Sequence, residues 1–303
     1  MNRFIMGLVS LRWFSSRFSS LFVSLFVSLI ASIFALMNTQ SAFAQGSFGP
    51  YVPTPTVIVD RLLDMGSVSA RDYLIDLGSG DGRIVITAAK KFGARGHGID
   101  IQEKLVALAN QNAATEGVAD RVKFVRGDIM EADFSQASII TTYLLPSTIT
   151  KLVPKFLAEL KPGTRIVSHD YPINPLVHEK VVSFDLEDKI KISGTPLTVI
   201  YLYIIPARVA GEWNLNLASA GAGGKPLTVR IDQRAESLSG SVELAGARVP
   251  LRDLKVSGEE ISFAYASGAS GTVSLRGTVN GAEMSGTVIS ASAPVKTWSA
   301  RRR

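Results

Sequence analysis

Apolar side chains along this 303-residue chain fall into three regimes of spacing, and each predicts a different kind of structure. Residues 21–37 are a largely apolar run without charge, broken only by Ser24, Ser28 and Ser32. From residue 57 helical and strand-like spacing alternate. Residues 57–63 have a helical period, 73–77 form a short apolar run, and Ile84, Val85, Ala88 and Ala89 recur at i, i+4 through 83–91. The alternation continues with a strand at 96–100, a helix at 102–114 faced by Leu105, Leu108 and Ala109, and a strand at 122–125. A strand at 138–143 leads to a helix with Leu152, Val153, Phe156, Leu157 and Leu160 on one side, and a further strand follows at 164–168. Strands separated by helices predict a parallel sheet covered on both faces, and alternating segments at 181–184 and 197–205 can close it as an antiparallel hairpin.

The expected fold class is therefore α/β: a doubly wound, seven-stranded, Rossmann-like domain over 57–208, reached through a linker at 45–56. From 209 to 303 helical spacing disappears. Short alternating segments at 227–231, 239–244, 261–265, 273–279 and 283–289 are separated by Gly, Ser and Asn, and Asn280-Gly281 is a hairpin turn. They predict an antiparallel β domain of about eight strands, enough to close a small barrel.

The first apolar run follows Arg3, Arg12 and Arg17, and Ala42-Phe43-Ala44 before Gln45 has the small-x-small form of a signal-peptidase site. That order predicts a secretory signal peptide over 1–44 or, uncleaved, a membrane anchor. Both readings deliver the rest of the chain outward, to the periplasm or the outer side of the inner membrane. An Arg- and Ser-rich segment free of acid also fits a mitochondrial presequence, the third reading.

The formal charge of +6 comes from 32 basic and 26 acidic side chains. Three of the arginines lie in the leader, where no acid occurs, so the remainder is close to neutral. A nucleic-acid partner would leave a basic stripe, yet the dense basic cluster is only the tail Arg301, Arg302 and Arg303. No nucleic acid is expected. The chain has no cysteine, which excludes disulfides, thiolate metal sites and a cysteine nucleophile; no metal centre is expected.

Residues 76–82 read Asp-Leu-Gly-Ser-Gly-Asp-Gly between the first strand and its helix. A dinucleotide loop spaces its glycines G-x-G-x-x-G around a pyrophosphate. Here Gly78, Gly80 and Gly82 alternate behind an acid, which resembles the D-x-G-x-G-x-G loop of class I methyltransferases. S-adenosylmethionine has no phosphate: its ammonium needs an acceptor such as Asp76, and glycines admit it without collision. Cofactor-binding residues expected from the loop are Asp76, Gly78, Ser79, Gly80 and Gly82. Asp100, about 20 residues further on at the end of the second strand, can accept both ribose hydroxyls, with Ile101 beside it. Asp128 follows the third strand, placed to accept from an adenine amino group while Ile129 packs on the ring.

With Tyr51-Val52-Pro53-Thr54-Pro55, Asp76 to Ile84, and Asp120-Arg121-Val122 with Phe124 and Asp128, residues 50–175 resemble the lysine methyltransferases that modify the ATP synthase c-subunit and the adenine nucleotide translocase, and their bacterial relatives. The resemblance implies an S-adenosylmethionine-dependent enzyme acting on a protein lysine, with a substrate that can be membrane-associated. It also implies that Tyr51 closes over the methionine end of the cofactor, as a lid, and that Tyr143 and Pro146 line the acceptor pocket. Tyr143 is the first catalytic candidate, for orienting the acceptor, and His169 in the loop after strand five is the second, as a base. The family has glutamate where this chain has Asp100, and it lacks the long β tail. Methylation of a small molecule or lipid head group, and a non-catalytic cofactor-binding module, stand as alternatives. In the tail, Gly211-Glu212-Trp213 resembles the Gly-x-Trp opening of lipocalins, with Trp298 to Arg301 expected nearby; a structural or substrate-presenting role suits it better than a ligand cup.

Overall fold

A computed structural model describes residues 51–217, 225–267, 271–289 and 296–303. The leader expected over 1–44 and the first part of the linker lie outside the described residues. The described residues fall in one compact unit.

Helix α1 (Thr56–Met65) buries Ile58, Val59, Leu62 and Leu63, the face that the helical spacing selects. Strand β1 (Tyr73–Leu77), α2 (Arg83–Phe92), β2 (Arg95–Asp100), α3 (Glu103–Thr115), β3 (Val122–Arg126), β4 (Ile139–Thr142), α4 (Pro146–Glu159) and β5 (Arg165–His169) follow in alternation. Then come β6 (Lys180–Asp185), α5 (Glu187–Ser193) and β7 (Leu197–Ile204). The seven strands form one sheet in the order β3-β2-β1-β4-β5-β7-β6. β1 to β5 are mutually parallel, and β7 runs antiparallel to both β5 and β6. The order reverses between β1 and β4, so the C-terminal ends of the central strands flank a crevice of the kind that binds ligands in open α/β sheets. Strands β1, β4 and β5 are buried along nearly their whole length because both sheet faces are covered.

A second, nine-stranded antiparallel sheet contains β8 (Gly211–Leu217), β9 (Leu227–Gln233), β10 (Leu238–Leu244), β11 (Ala247–Pro250), β12 (Arg252–Ser257), β13 (Glu260–Ala266), β14 (Thr272–Asn280), β15 (Glu283–Ile289) and β16 (Lys296–Arg302). Its order is β11-β10-β9-β8-β16-β15-β14-β13-β12. The two ends of that order, β11 and β12, are consecutive in the chain and joined at Leu251, whose N–H donates to the Gly240 carbonyl at 2.8 Å. They act as one strand bent around a corner, which leaves the sheet nearly closed as a barrel and reconciles it with the eight or so strands expected.

The interior is packed. Trp213, Leu215, Val229, Ile231, Val242, Phe263, Tyr265, Leu275 and Trp298 are buried in one cluster. Trp298 stands in register with Gly286, which pairs with Gly277; a Cβ at Gly277 would overlap the indole. Arg302 lies 4.4 Å over the Trp213 ring and is paired with it across β8 and β16. The strand of Trp298 to Arg301 thus stands beside that of the Gly-x-Trp element, as expected, with Arg302 covering the tryptophan.

The barrel meets the α/β layer at the edge where the parallel strands begin. The Gly163 N–H donates to the Ile205 carbonyl at 2.9 Å and the Ala207 N–H to the Gly258 carbonyl at 2.7 Å. Arg208 donates to the Leu157 and Ala158 carbonyls at the end of α4, both at 2.8 Å, and Lys255 pairs with Glu179 at 2.7 Å.

Candidate active site

Strand β1 delivers Asp76 into the sheet interior, 2% exposed, and the chain then turns through Gly78, Gly80 and Gly82 with φ of +76°, +54° and +83°. Those angles favour glycine. The Gly78 and Ser79 N–H groups both donate to the Ile99 carbonyl, at 2.9 and 3.0 Å, which docks the loop on β2. Asp100 completes the anchor: its Oδ2 accepts from the Gly80 N–H and its Oδ1 from the Gln102 N–H, each at 2.9 Å. Each carboxylate oxygen retains a lone pair for a hydroxyl donor.

Asp76 accepts a 2.7 Å hydrogen bond from Thr141 Oγ1 on the neighbouring strand. Burial pushes its carboxyl up to about 7, against the Thr141 hydrogen bond and with help from the nearby Asp100 and Asp81 charges. A buried carboxyl of this kind is relieved by a cation. The Ser79 and Thr142 hydroxyls, buried at the same edge, have no partner of their own. A buried acid, an alternating-glycine turn and unpaired hydroxyls fit the ammonium end of S-adenosylmethionine.

Asp128 follows β3 and accepts from the Met130 N–H at 2.8 Å; Ile129 behind it is buried, and Ile101 after β2 is half-buried. Tyr51 is 40% exposed, yet its ring covers the loop, since a Cβ on Gly80 would overlap it. A clamp invisible to spacing holds it there. Arg83 pairs with Asp81 at 2.6 Å and donates to the Thr54 carbonyl at 2.8 Å, and the Tyr51 phenol lies beside this pair. The segment before α1 is thereby tied to the glycine turn.

The acceptor-side residues gather after β4 and β5. The Tyr143 and His169 rings lie 4.0 Å apart, and Tyr171 stacks 6.1 Å from Tyr143. His169 is 1% exposed, neither ring nitrogen has a hydrogen-bond partner, and burial pushes its pKa down to about 4. It is neutral at physiological pH. Asp170 has φ +61°, an uncommon conformation for a non-glycine residue that clusters at functional sites. Its Oδ1 accepts from Lys189 Nζ at 2.7 Å and from the Val199 N–H at 3.2 Å, His169 Nε2 lies 3.5 Å from the same oxygen, and the Tyr143 phenol lies within reach of the carboxylate charge. Burial and the Asp170 charge hold the Tyr143 phenol protonated, well above its ordinary range. Pro146 stands exposed at the first turn of α4, on the rim and apart from this cluster's hydrogen bonds. Lys189, 2% exposed on α5, carried no signal in the sequence.

The family model described as the ANTKMT methyltransferase domain matches residues 76–180. A protein-lysine N-methyltransferase of Saccharolobus islandicus (strain REY15A) is 41% identical over 157 residues, 52% of this chain and 93% of that protein. The adenine nucleotide translocase lysine N-methyltransferase of Mus musculus is 37% identical over 126 residues, 41% of this chain; the match spans about half of that relative, 54%. Among solved structures, an RNA methyltransferase from Salinibacter ruber in complex with S-adenosyl-L-homocysteine is 46% identical with a TM-score of 0.47, covering 52% of this chain and 96% of that one.

Proposed function

This chain belongs to the S-adenosylmethionine-dependent protein-lysine N-methyltransferase family, and we propose that it methylates the side-chain amine of a lysine in a protein substrate. The observation that carries the reading is the pairing, along one sheet edge, of a cofactor cradle (Asp76, the glycine turn, Asp100, Asp128) with an aromatic and carboxylate cluster after β4 and β5. Bound in that cradle, the cofactor would supply an electrophilic methyl group on a sulfonium, ready for transfer to an amine lone pair with the thioether as leaving group.

The protein's own work is positioning. Asp76 holds the ammonium of the methionine end, Asp100 the ribose hydroxyls, and Asp128 with Ile129 the adenine, while Ser79, Gly78, Gly80 and Gly82 admit the ligand and Tyr51 covers it. Holding two reactants in line supplies roughly 7 to 11 kcal/mol of the barrier. A lysine acceptor, with an unperturbed pKa near 10.4, must also lose its proton. Desolvation beside the half-buried Tyr143 favours that loss, because burial disfavours a charged amine. The leader adds an outward destination, the periplasm or the outer side of the inner membrane, where a membrane-associated substrate would be within reach.

Calorimetry against S-adenosylmethionine, its demethylated product and NAD tests the cofactor half; preference for NAD overturns it. A labelled-methyl assay on membrane and soluble extracts, followed by mass spectrometry, tests the acceptor half. Label on protein lysine supports the proposal. Label confined to lipids or small metabolites replaces the substrate class, and tight cofactor binding without any label replaces catalysis with a binding role.

A further inference from the structure

The strap from Tyr51 to Pro55 has few means of its own for staying on the glycine turn. Pro53 and Pro55 lack an N–H and bias Val52 and Thr54 toward extended conformations. The strap is therefore stiff and poor in donors. One end is secure, because the Pro55 carbonyl accepts from the Ile58 and Val59 N–H groups at 2.9 and 3.0 Å and so runs directly into α1. At the other end the Tyr51 ring fills the space that a Cβ on Gly80 would need. Between these ends, Arg83 fastens the strap. Its Nη1 donates to the carbonyl of the buried Thr54 at 2.8 Å, while Nε and Nη2 donate to the two carboxylate oxygens of Asp81 at 2.9 and 2.6 Å. Asp81 is fixed in turn, since Asn112 Nδ2 on α3 donates to its carbonyl at 3.0 Å. One planar guanidinium thus joins strap, loop and helix in a geometry that the point charge of a lysine cannot copy.

Every partner in this fastening belongs to the protein itself, so it holds without help from a ligand. A strap held over the glycine turn stands in the way of whatever must reach that turn. We propose that Arg83 is a positioning residue for the cofactor: it latches the strap shut, so that S-adenosylmethionine enters the cradle, and its demethylated product leaves, when the Arg83–Thr54 hydrogen bond opens. This rests on the reading of the cradle as the cofactor site. Asp81 balances the guanidinium charge, so Arg83 acts on the ligand through the strap rather than through a field of its own. With the latch closed, the methionine end has less room to move, and the alignment on which methyl transfer depends is held more tightly. The stiffness of the strap makes one hydrogen bond sufficient, because a segment set by two prolines moves as a unit once its middle is released.

The test uses the full chain and two variants. Arg83→Lys keeps a positive charge beside Asp81 and loses the fork, whereas Arg83→Met with Asp81→Asn removes both charges together and strands neither. The first arm needs no ligand: chymotrypsin cleaves after aromatic residues it can reach, and mass spectrometry reads scission between Tyr51 and Val52. Both variants should be cut there about tenfold faster than the native chain, the change expected from losing one hydrogen bond to a charged donor. An unchanged rate, or an equal acceleration at every other cleavage site, overturns the latch. Stopped-flow binding of S-adenosylmethionine and of its demethylated product gives the second arm. Dissociation and association should both quicken, since exit and entry wait on the same opening. Faster dissociation with unchanged association would mean a lost contact instead of a gate, and would overturn the proposal. Failure of the cofactor reading appears separately, as an absence of binding by the native chain while scission at Tyr51 still responds to Arg83.

Discussion

Replacing Asp76 by Asn should make the protein more stable at neutral pH and a poorer binder of its cofactor. The carboxyl is 2% exposed, receives one hydrogen bond from Thr141, and is pushed from its ordinary 3.8 to about 7. At 1.36 kcal/mol for each pH unit, the ionised form costs about 4 kcal/mol more inside the fold than in the unfolded chain. The sign follows from proton counting: between the two pKa values the folded state keeps a proton that the unfolded state has released, so stability is present in full below 3.8 and declines as pH rises to about 7. His169 acts in the opposite direction. Its pKa is lowered from 6.5 to about 4, so its contribution to stability grows as pH rises across that range and masks the Asp76 effect in the native profile. The diagnostic quantity is therefore the difference between Asp76→Asn and the native protein. Linkage gives about 2.5 kcal/mol of growth in that difference between pH 5 and pH 8, measurable by urea denaturation at each pH. S-adenosylmethionine adds a second readout. If its ammonium ionises Asp76, binding at pH 6 releases close to one proton from the native protein and none from Asp76→Asn, which calorimetry in buffers of different ionisation enthalpy detects. A difference in stability that stays flat with pH, together with no proton release, would refute the argument.

Other consequences are as specific. Asp100→Ala removes the acceptor of the Gly80 and Gln102 N–H groups, and cofactor affinity by calorimetry should fall about tenfold or more, because bonds to a charged acceptor contribute roughly 1.5 to 3 kcal/mol each. Gly80→Ala adds a side chain at φ +54° that overlaps the Tyr51 ring; it should cost about 1 to 2 kcal/mol in denaturation and make residues around Tyr51 more open to proteolysis. Arg302→Ala loses the contact over Trp213 and should lower stability by roughly 0.5 to 2 kcal/mol without changing cofactor affinity. Mass spectrometry of the native protein should find a mature N-terminus at Gln45; an intact leader would favour the anchor.

Much of the α/β layer was legible because burial there follows simple periods. β1, β4 and β5 are buried on both faces around an apolar pair or triplet, and α1 and α2 turn their apolar stripes inward. The acids at the strand ends could be placed because a strand, a turn and a helix fix where a side chain emerges. Other features left no such trace. α5 reverses the usual rule, burying Lys189 while Ile190 is 48% exposed, so a pattern of apolar positions gives no hint of it. The strand pair β11 and β12 is bent at Leu251, and its exposed positions outnumber its buried ones, which breaks the alternation that marks a strand. The Arg83 to Thr54 contact joins residues 29 apart in sequence through a side chain that, read alone, belongs on a solvated helix end.

The position of the barrel constrains what it can do for the reaction. Its contacts run through Gly163, Ile205, Ala207, Arg208 and Lys255. The first two flank the start of β5 and the end of β7, whereas Asp76, Asp100, Tyr143 and His169 lie where the parallel strands finish. A strand of five residues rises about 3.3 Å per residue, so the barrel's attachment is separated from the chemistry by about the length of a strand, and none of its described side chains belongs to the cofactor cradle or to the Tyr143 cluster. Its interior is filled by Trp213, Tyr265, Phe263 and Trp298, so it has the physical character of a packed core. What it does supply is coverage of an otherwise open end. Arg208 satisfies the last carbonyls of α4, groups that a helix leaves without partners, and the 2.9 Å bonds between Gly163 and Ile205 and between Ile205 and Thr164 extend the β5 to β7 ladder to the barrel's first residues. Changes at that junction act on the reaction only through the strands that carry Tyr143 and His169, and so bear on stability before they bear on turnover.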